Sequence, residues 1–342
     1  MNSVHIAGLP VPLSRVVMGT DWLGARRFVY VRGRRFSSPF VDRTAHCANL
    51  ALLDAVAEAG CTAFDTARAY GDSERTLGEW LQLNRLRDRV AVITKGGHPG
   101  PRWQPRLVPD AITRDLEQSL KALRTDYVDL YLLHYDHASA DVEPLVDVLN
   151  RHMSAGRIRA LGVSNWSTDR LATARAYAGR TRQQPFVVSS VQYSLATWNA
   201  PAWEGAVSIG TDQAEAERDW YRRHDVSVLA YSSLAMGFFS SARSYDAAAQ
   251  ASTAVRFGDR VFLNDRNRAR LERATALARQ LGVTPGQIAL AWVLGLTPRL
   301  LPIVGARSAA SYREAADACE VTLSDAQRRW LWAGPDAYGI RQ

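Results

Sequence analysis

Four residues near the ends of apolar runs carry side chains that together can move a proton. Asp65 closes CTAFD, Tyr70 follows in DTARAYGD, Lys95 closes VAVITK and His134 closes YVDLYLLH. A free phenol titrates near pH ~10 and is a weak acid at neutrality. An ammonium about 4 Å away stabilises the phenolate by up to ~4 kcal/mol at an effective dielectric near ~20. Half of that would lower the Tyr70 pKa by more than ~1 unit. Asp65 can hold Lys95 charged, and His134 can steer a substrate oxygen or relay a proton. The group suits protonation of a developing alkoxide, a role worth ~10²–10⁴ in rate. None of the four is an obvious acyl nucleophile. Taken singly, Tyr70 reads as a turn residue, Lys95 as a surface charge and His134 as a satisfied structural ring. Helix capping would not select an acid, an amine and an imidazole on three successive runs, so one shared pocket is the better account.

Those positions converge only if the runs are neighbouring strands. Strand-like segments at 15–20, 61–65, 90–95, 127–134, 157–165, 185–193, 226–232 and 299–305 alternate with helical patterns. Ile112, Leu116, Leu120 and Leu123 recur at helical spacing behind Pro109, which opens a helix, while Gly60 and Gly156 mark helix ends. Eight strands, each followed by helix and apolar enough to be buried on both faces, predict an α/β fold: a (β/α)8 TIM barrel forming a single domain over residues 1–342. VHIAGLPVPL fits an N-terminal β-hairpin closing the floor, and the long strand-to-helix loops surround the active site. An open doubly wound sheet binding a dinucleotide would show GxGxxG after its first strand. VVMGTDWLG lacks it, and KGGHPG has the wrong spacing.

Barrel chemistry sits at the C-terminal ends of the strands. The remaining ends are polar too: Ser164 and Asn165, Gln192, Tyr231 and Ser232. Asn165 and Gln192 can donate to and accept from a carboxamide, and Tyr231 offers a ring face. GARSAASYREAADAC places Arg307, Ser308 and backbone N–H groups at a helix start, a natural phosphate site. A nicotinamide cofactor delivering hydride is the expectation.

Composition narrows the class. A chain of 342 residues, 47 % hydrophobic, can bury a barrel-sized core. No apolar run of 18 residues exists, and MNSVHIAGLPVPL lacks the regions of a signal peptide. Cys47, Cys61 and Cys319 show no CxxC or metal-type spacing, which suits a reducing compartment. The expectation is a cytoplasmic protein with no membrane partner and no metal. The net charge of +8 is dispersed among acids except in RRFVYVRGRR, so nucleic acid is not expected. That loop, 26–35, reads as solvated, with attraction of an anionic substrate as the alternative. Of 42 basic residues only Lys95 and Lys121 are lysine, the cation whose charge proteins tune.

DTARAYGDSERTLG, ITKGG, DLYLLH, GVSNW, VQYS and LAYSSLAMGFF together resemble, in order and spacing, the aldo-keto reductases over residues 10–320. The resemblance implies a (β/α)8 barrel that binds NADPH across its mouth and reduces small-molecule carbonyls. It implies a catalytic tetrad on Asp65, Tyr70, Lys95 and His134. Implied cofactor positions are Gly19, Thr20, Asp65, Ser164, Asn165, Gln192, Tyr231, Ser232, Leu234, Gly237, Gly305, Arg307 and Ser311. Relatives carry Gln and Asn against adenine where this chain has Ser311 and Ala315. The grip there differs, Arg313 offers compensation, and Arg307 favours the 2′-phosphate of NADPH over NADH.

Trp22, Trp103, Trp166, Trp198 and Trp203 fall in strand-to-helix loops, where aromatics either line a substrate pocket or pack the loops. The insert 195–219 is expected to wall one side. Two other functions stay open: a Schiff-base lyase using Lys95, and a non-catalytic subunit that senses NADPH.

Overall fold

The computed structural model describes residues 3–23, 26–31, 34–41, 43–100, 103–239 and 257–334. Eight parallel strands close a barrel: β1 (Val17–Gly19), β2 (Ala63–Asp65), β3 (Ala91–Gly96), β4 (Val128–Leu133), β5 (Ile158–Ser164), β6 (Val188–Gln192), β7 (Ser227–Tyr231) and β8 (Leu300–Val304). Each pairs with its sequence neighbours, and β8 closes on β1 through Ile303↔Val17 and Val304↔Met18. This is the (β/α)8 barrel that the alternation predicts. Helices follow in order: α1 (Arg43–Glu58), α2 (Ser73–Asn84), α3 (Pro109–Leu123), α4 (Val142–Ser154), α5 (Thr168–Arg180) and α6 (Glu215–Arg223). Then come α7 (Phe257–Phe262), α8 (Asp265–Leu281), α9 (Pro285–Leu294), α10 (Ala309–Asp317) and α11 (Asp325–Ala333).

Two apolar layers explain why strands and helices settle this way. One fills the barrel: Val17, Ala63, Ile93, Leu130, Leu132, Val188 and Leu229 are fully buried inside. The N-terminal segment plugs the same layer. Ser3–Val4 pairs antiparallel with Leu13–Ser14, and Val4, Ile6, Leu9 and Leu13 pack beneath the strands. The other layer lies between the strands and the helix ring, where Leu77 and Trp80 of α2 and Ile112, Leu116 and Leu123 of α3 are buried at the predicted spacing. Pro109 stands at the start of α3, and Ser167 caps α5 by accepting from the Arg170 backbone N–H.

The Arg-rich stretch departs from the expected loop. Arg26–Val31 pairs antiparallel with Arg34–Val41 as a hairpin between β1 and α1. Its β-branched and aromatic residues, FVYV and RFSSPFV, favour extended backbone over coil. Among the described residues, no helix is long and apolar enough to cross a membrane.

Candidate active site

The barrel brings Asp65, Tyr70, Lys95 and His134 to one spot. Asp65 ends β2 and pairs in register with Gly19 of β1 and Ile93 of β3. The loop after β2 is zipped onto the end of β3: Thr66 N donates to Ile93 O at 2.8 Å and Arg68 N to Lys95 O at 3.0 Å. That fixes Tyr70 over the strand ends. The start of α2 locks the loop from the far side. The Ser73 hydroxyl donates to Thr20 O at 2.7 Å, and buried Glu74 accepts from Thr94 Oγ1 at 2.7 Å. His134 follows β4 directly and donates its backbone N–H to Gly96 O at 2.8 Å.

Lys95 Nζ donates to Asp65 Oδ1 and Oδ2, both at 2.7 Å, and to Thr66 O at 2.9 Å. It reaches the Tyr70 hydroxyl at 3.5 Å and stands 5.0 Å from the centre of that ring. His134 meets Tyr70 edge-on, with ring centres 5.7 Å apart. Lys95 and Asp65 are only 3 % and 4 % exposed, so neither charge has water to fall back on. Burial pushes the Asp65 carboxyl up, and Lys95 opposes that push.

The electrostatics correct one expectation. Tyr70 is driven well above its ordinary value, by burial first and then by Asp65 and Asp21. Lys95 does not lower it, because its ammonium is spent on both carboxylate oxygens and approaches the phenol only at the edge of bonding distance. The resting phenol is therefore protonated at neutral pH, the state a proton donor must start from. Asp21, which follows β1 and lines the same cavity, is an acid that sequence reasoning passed over.

His134 is pushed the other way, well below 6.5, by burial, then by Lys95 and His98. Its ring stacks on Tyr135 and meets His98 edge-on, both at 5.1 Å, and its Nδ1 is buried without a partner among the described residues. The neutral imidazole has a measurable consequence. Unfolded, the ring binds a proton below pH ~6.5; folded, it does not, so stability should fall as pH drops below that value, by up to ~1.4 kcal/mol per unit. Urea titrations at pH 7.5 and 5.5 should show this loss in the natural protein and a smaller one in His134→Gln.

A cavity of about 690 Å³ runs from these residues across the barrel mouth to α10. At the near end it is lined by Gly19, Thr20, Asp65, Ser164, Asn165 and Tyr231. Farther along it passes Ser232, Leu234 and Gly237, and it ends at Gly305, Arg307 and Ser311. Among the implied cofactor positions, Gln192 is the one the structure does not bring to this cavity. Its Nε2 donates to Ser194 Oγ at 2.9 Å, and its Oε1 accepts from Ser208 Oγ. The cause is the insert after β6, whose Val207–Ser208 segment folds back over the strand end. Val207 N donates to Asn165 Oδ1 at 3.1 Å, and Gln192 N donates to Val207 O at 2.9 Å. Ser190, two residues back on the same strand face, lines the cavity in its place.

The cavity fits an extended dinucleotide. It holds buried groups without partners among the described residues, Ser190 Oγ at its near end and Trp22 Nε1 beside Gly305, while Arg307 supplies a cation at the far end. Ser311 lines that end but its hydroxyl serves the start of α10, donating to Ser308 O at 2.9 Å. Arg313 does not line it; Glu314 does, accepting from Thr284 Oγ1 at 2.7 Å.

The tryptophans divide. Trp22 and Trp203 line the cavity, and Trp203 stacks on Tyr231 with ring centres 5.8 Å apart. Trp103 stands one layer behind, edge-on to the cavity-lining Tyr135 at 5.1 Å. Trp166 is 1 % exposed; it packs on Phe186 and donates Nε1 to Tyr135 O, so it supports the wall from inside the core. Trp198 packs against the outer core and does not line the cavity.

Residues 39–330 match the sequence model of the Aldo/keto reductase family. The chain is 28 % identical over 293 residues to the oxidoreductase YrpG of Bacillus subtilis, covering 82 % of this chain and 84 % of that one. It is equally identical, at 28 % over 289 residues, to the NADP(+) aldo-keto reductase yakc of Schizosaccharomyces pombe, covering 82 % and 80 %. Its structure resembles that of an aldo-keto reductase from Klebsiella pneumoniae in complex with NADPH, at 25 % identity and a TM-score of 0.67, over 98 % and 96 % of the two chains.

Proposed function

The chain belongs to the aldo/keto reductase family, and from that premise we propose that it reduces an aldehyde or ketone to an alcohol with NADPH, Tyr70 giving the proton. The observation that carries this reading is the Tyr70 hydroxyl, 3.5 Å from a lysine that is itself locked onto Asp65. NADPH, when bound, supplies the hydride. The chain's own residues do the rest. A carbonyl oxygen seated between Tyr70 and His134 gains negative charge as the carbonyl carbon is reduced. The protonated phenol bonds that oxygen and passes its proton to it. Lys95, held by Asp65, keeps the Tyr70 oxygen in place at 3.5 Å as the proton leaves it. Neutral His134 offers a ring nitrogen that orients the oxygen without a competing positive charge.

The NADP(+) named for the fission-yeast relative and the NADPH bound by the Klebsiella neighbour support the cofactor assignment. Ser164 and Ser190 would hold the carboxamide end, with Asn165, whose amide is bonded to His134 O, Ser164 Oγ, Val207 N and the Tyr231 hydroxyl, fixing Ser164 and Tyr231 in place; Tyr231 would face the ring and Arg307 the 2′-phosphate. Replacing Arg307 with serine should then weaken NADPH binding about tenfold to a hundredfold, the value of a charge-assisted bond, and leave NADH binding unchanged. Quenching of tryptophan fluorescence by each dinucleotide measures both.

A Schiff-base role for Lys95 finds no support. Its ammonium donates to three close oxygens, which leaves no lone pair to attack a carbonyl. The deciding experiment is a panel of aldehydes, ketones, sugars and secondary-metabolite carbonyls followed by NADPH absorbance beside NADH. Turnover with NADPH supports the reductase. Tight NADPH binding with no carbonyl reduced would overturn it in favour of a cofactor-sensing subunit.

A further inference from the structure

A second cavity, of about 950 Å³, lies on the outside of the barrel among α6, α8, α9 and α11. It shares no lining residue with the cavity above Tyr70. Seven arginines and three acids line it. Arg222, Arg266 and Arg328 have carboxylate partners in Asp219, Asp212 and Asp325.

Arg218, Arg270 and Arg273 are held differently. Arg218 donates to Ile209 O at 2.8 Å and Thr211 O at 2.6 Å. Arg270 donates to Trp332 O at 3.0 Å, Leu195 O at 3.1 Å and Thr197 Oγ1 at 2.8 Å. Arg273 donates through Nε and Nη2 to Leu331 O at 3.2 and 3.0 Å. These carbonyls satisfy N–H groups, and those of Leu331 and Trp332, in the last turn of α11, carry the partial negative charge of a helix C-terminus, which offsets the full positive charges only in part. The carboxylate nearest Arg270 is Asp212 at 3.9 Å, already bonded to Arg266. Arg270 is 1 % exposed and lies 3.4 Å over the ring of Trp332, which stacks on Trp292 at 5.1 Å. Burial, with Arg266 and Arg273 adding repulsion, presses its pKa down to about 9. Positive charge is thus concentrated in a concave site on guanidinium planes already fixed by carbonyls and stacking. Such planes match phosphate oxygens two at a time and lose little entropy on binding them.

We propose that this cavity binds a small polyanion bearing phosphate-type oxygens, with Arg218 and Arg273 facing it and the buried Arg270 adding charge behind them. A single negative charge would leave most of the excess unanswered, so a multivalent anion fits best. The competing account is that these arginines only clamp the end of α11 and the insert after β6.

Calorimetry separates the two. Protein saturated with NADPH, so that the Arg307 end of the other cavity is filled, is titrated with inorganic pyrophosphate at fixed ionic strength. One saturable site is expected, weakened at least tenfold by Arg273→Gln and kept in Arg307→Ser at saturating NADPH. Arg218→Gln, whose hydrogen bonds go to Ile209 and Thr211 and none to α11, gives the same readout should Arg273→Gln fail to fold. Heat no greater than that of chloride at equal ionic strength would overturn the proposal. So would binding that disappears in Arg307→Ser and persists in Arg273→Gln.

Discussion

Tyr70→Phe should lower turnover by about 10²–10⁴-fold, the usual range for removing a positioned general acid, and leave NADPH affinity unchanged. The substitution removes one oxygen and keeps the ring, so the edge contact to His134 at 5.7 Å and the face toward Lys95 at 5.0 Å survive. The lost contact to Lys95 is long, at 3.5 Å, so the fold should lose little. A fall in kcat with an unchanged dissociation constant for NADPH separates chemistry from binding. The pH profile adds a second reading. With the phenol pushed well above its ordinary value, the natural enzyme should lose no rate between pH 7 and 9 through Tyr70 ionising. Turnover retained in Tyr70→Phe would move the proton to another donor and leave Tyr70 a structural ring.

That prediction rests on four residues visible in the sequence, and they were visible for a local reason. Asp65, Lys95 and His134 each sit at or beside the end of an apolar run, and a barrel puts all such ends on one face. The same logic could not separate Ser190 from Gln192. Both point to one face of β6, and strand alternation ranks neither above the other. The insert decides between them, because Val207 and Ser208 return from the loop to engage Asn165 and Gln192. Pairings of that kind depend on how a loop folds back and leave no periodic trace. Trp166 and Trp198 stay open in the sequence for a related reason: a loop tryptophan can face the ligand or the core, and its sequence position does not say which. The direction of the Tyr70 shift was also hidden. Proximity of Lys95 could be inferred from strand order, but the two bonds that tie its charge to Asp65 are a matter of side-chain geometry.

Those two bonds set up the larger effect on the fold. Lys95→Met should destabilise the protein by ~3–5 kcal/mol at neutral pH, because it leaves a buried carboxylate without its partner. Asp65 is 4 % exposed, and without the ammonium nothing opposes the burial that already pushes its pKa up. The sign of the pH dependence follows. A carboxyl whose folded pKa lies above its unfolded value binds more protons folded than unfolded in the range between them. Its contribution is therefore full below the unfolded value, near pH ~3.9, and is lost as pH rises through the folded one. Lys95→Met should then recover stability relative to the natural protein as pH is lowered from 7 toward 5. Adding Asp65→Asn removes the orphaned charge, so the double variant should regain most of the neutral-pH loss and lose this pH dependence. Activity should return in neither, since the ammonium that holds the Tyr70 hydroxyl at 3.5 Å is absent from both. Denaturant titrations of the three proteins at pH 5 and 7 test the coupling. A double variant no more stable than Lys95→Met at pH 7 would place the cost in the lost lysine packing and not in the stranded carboxylate.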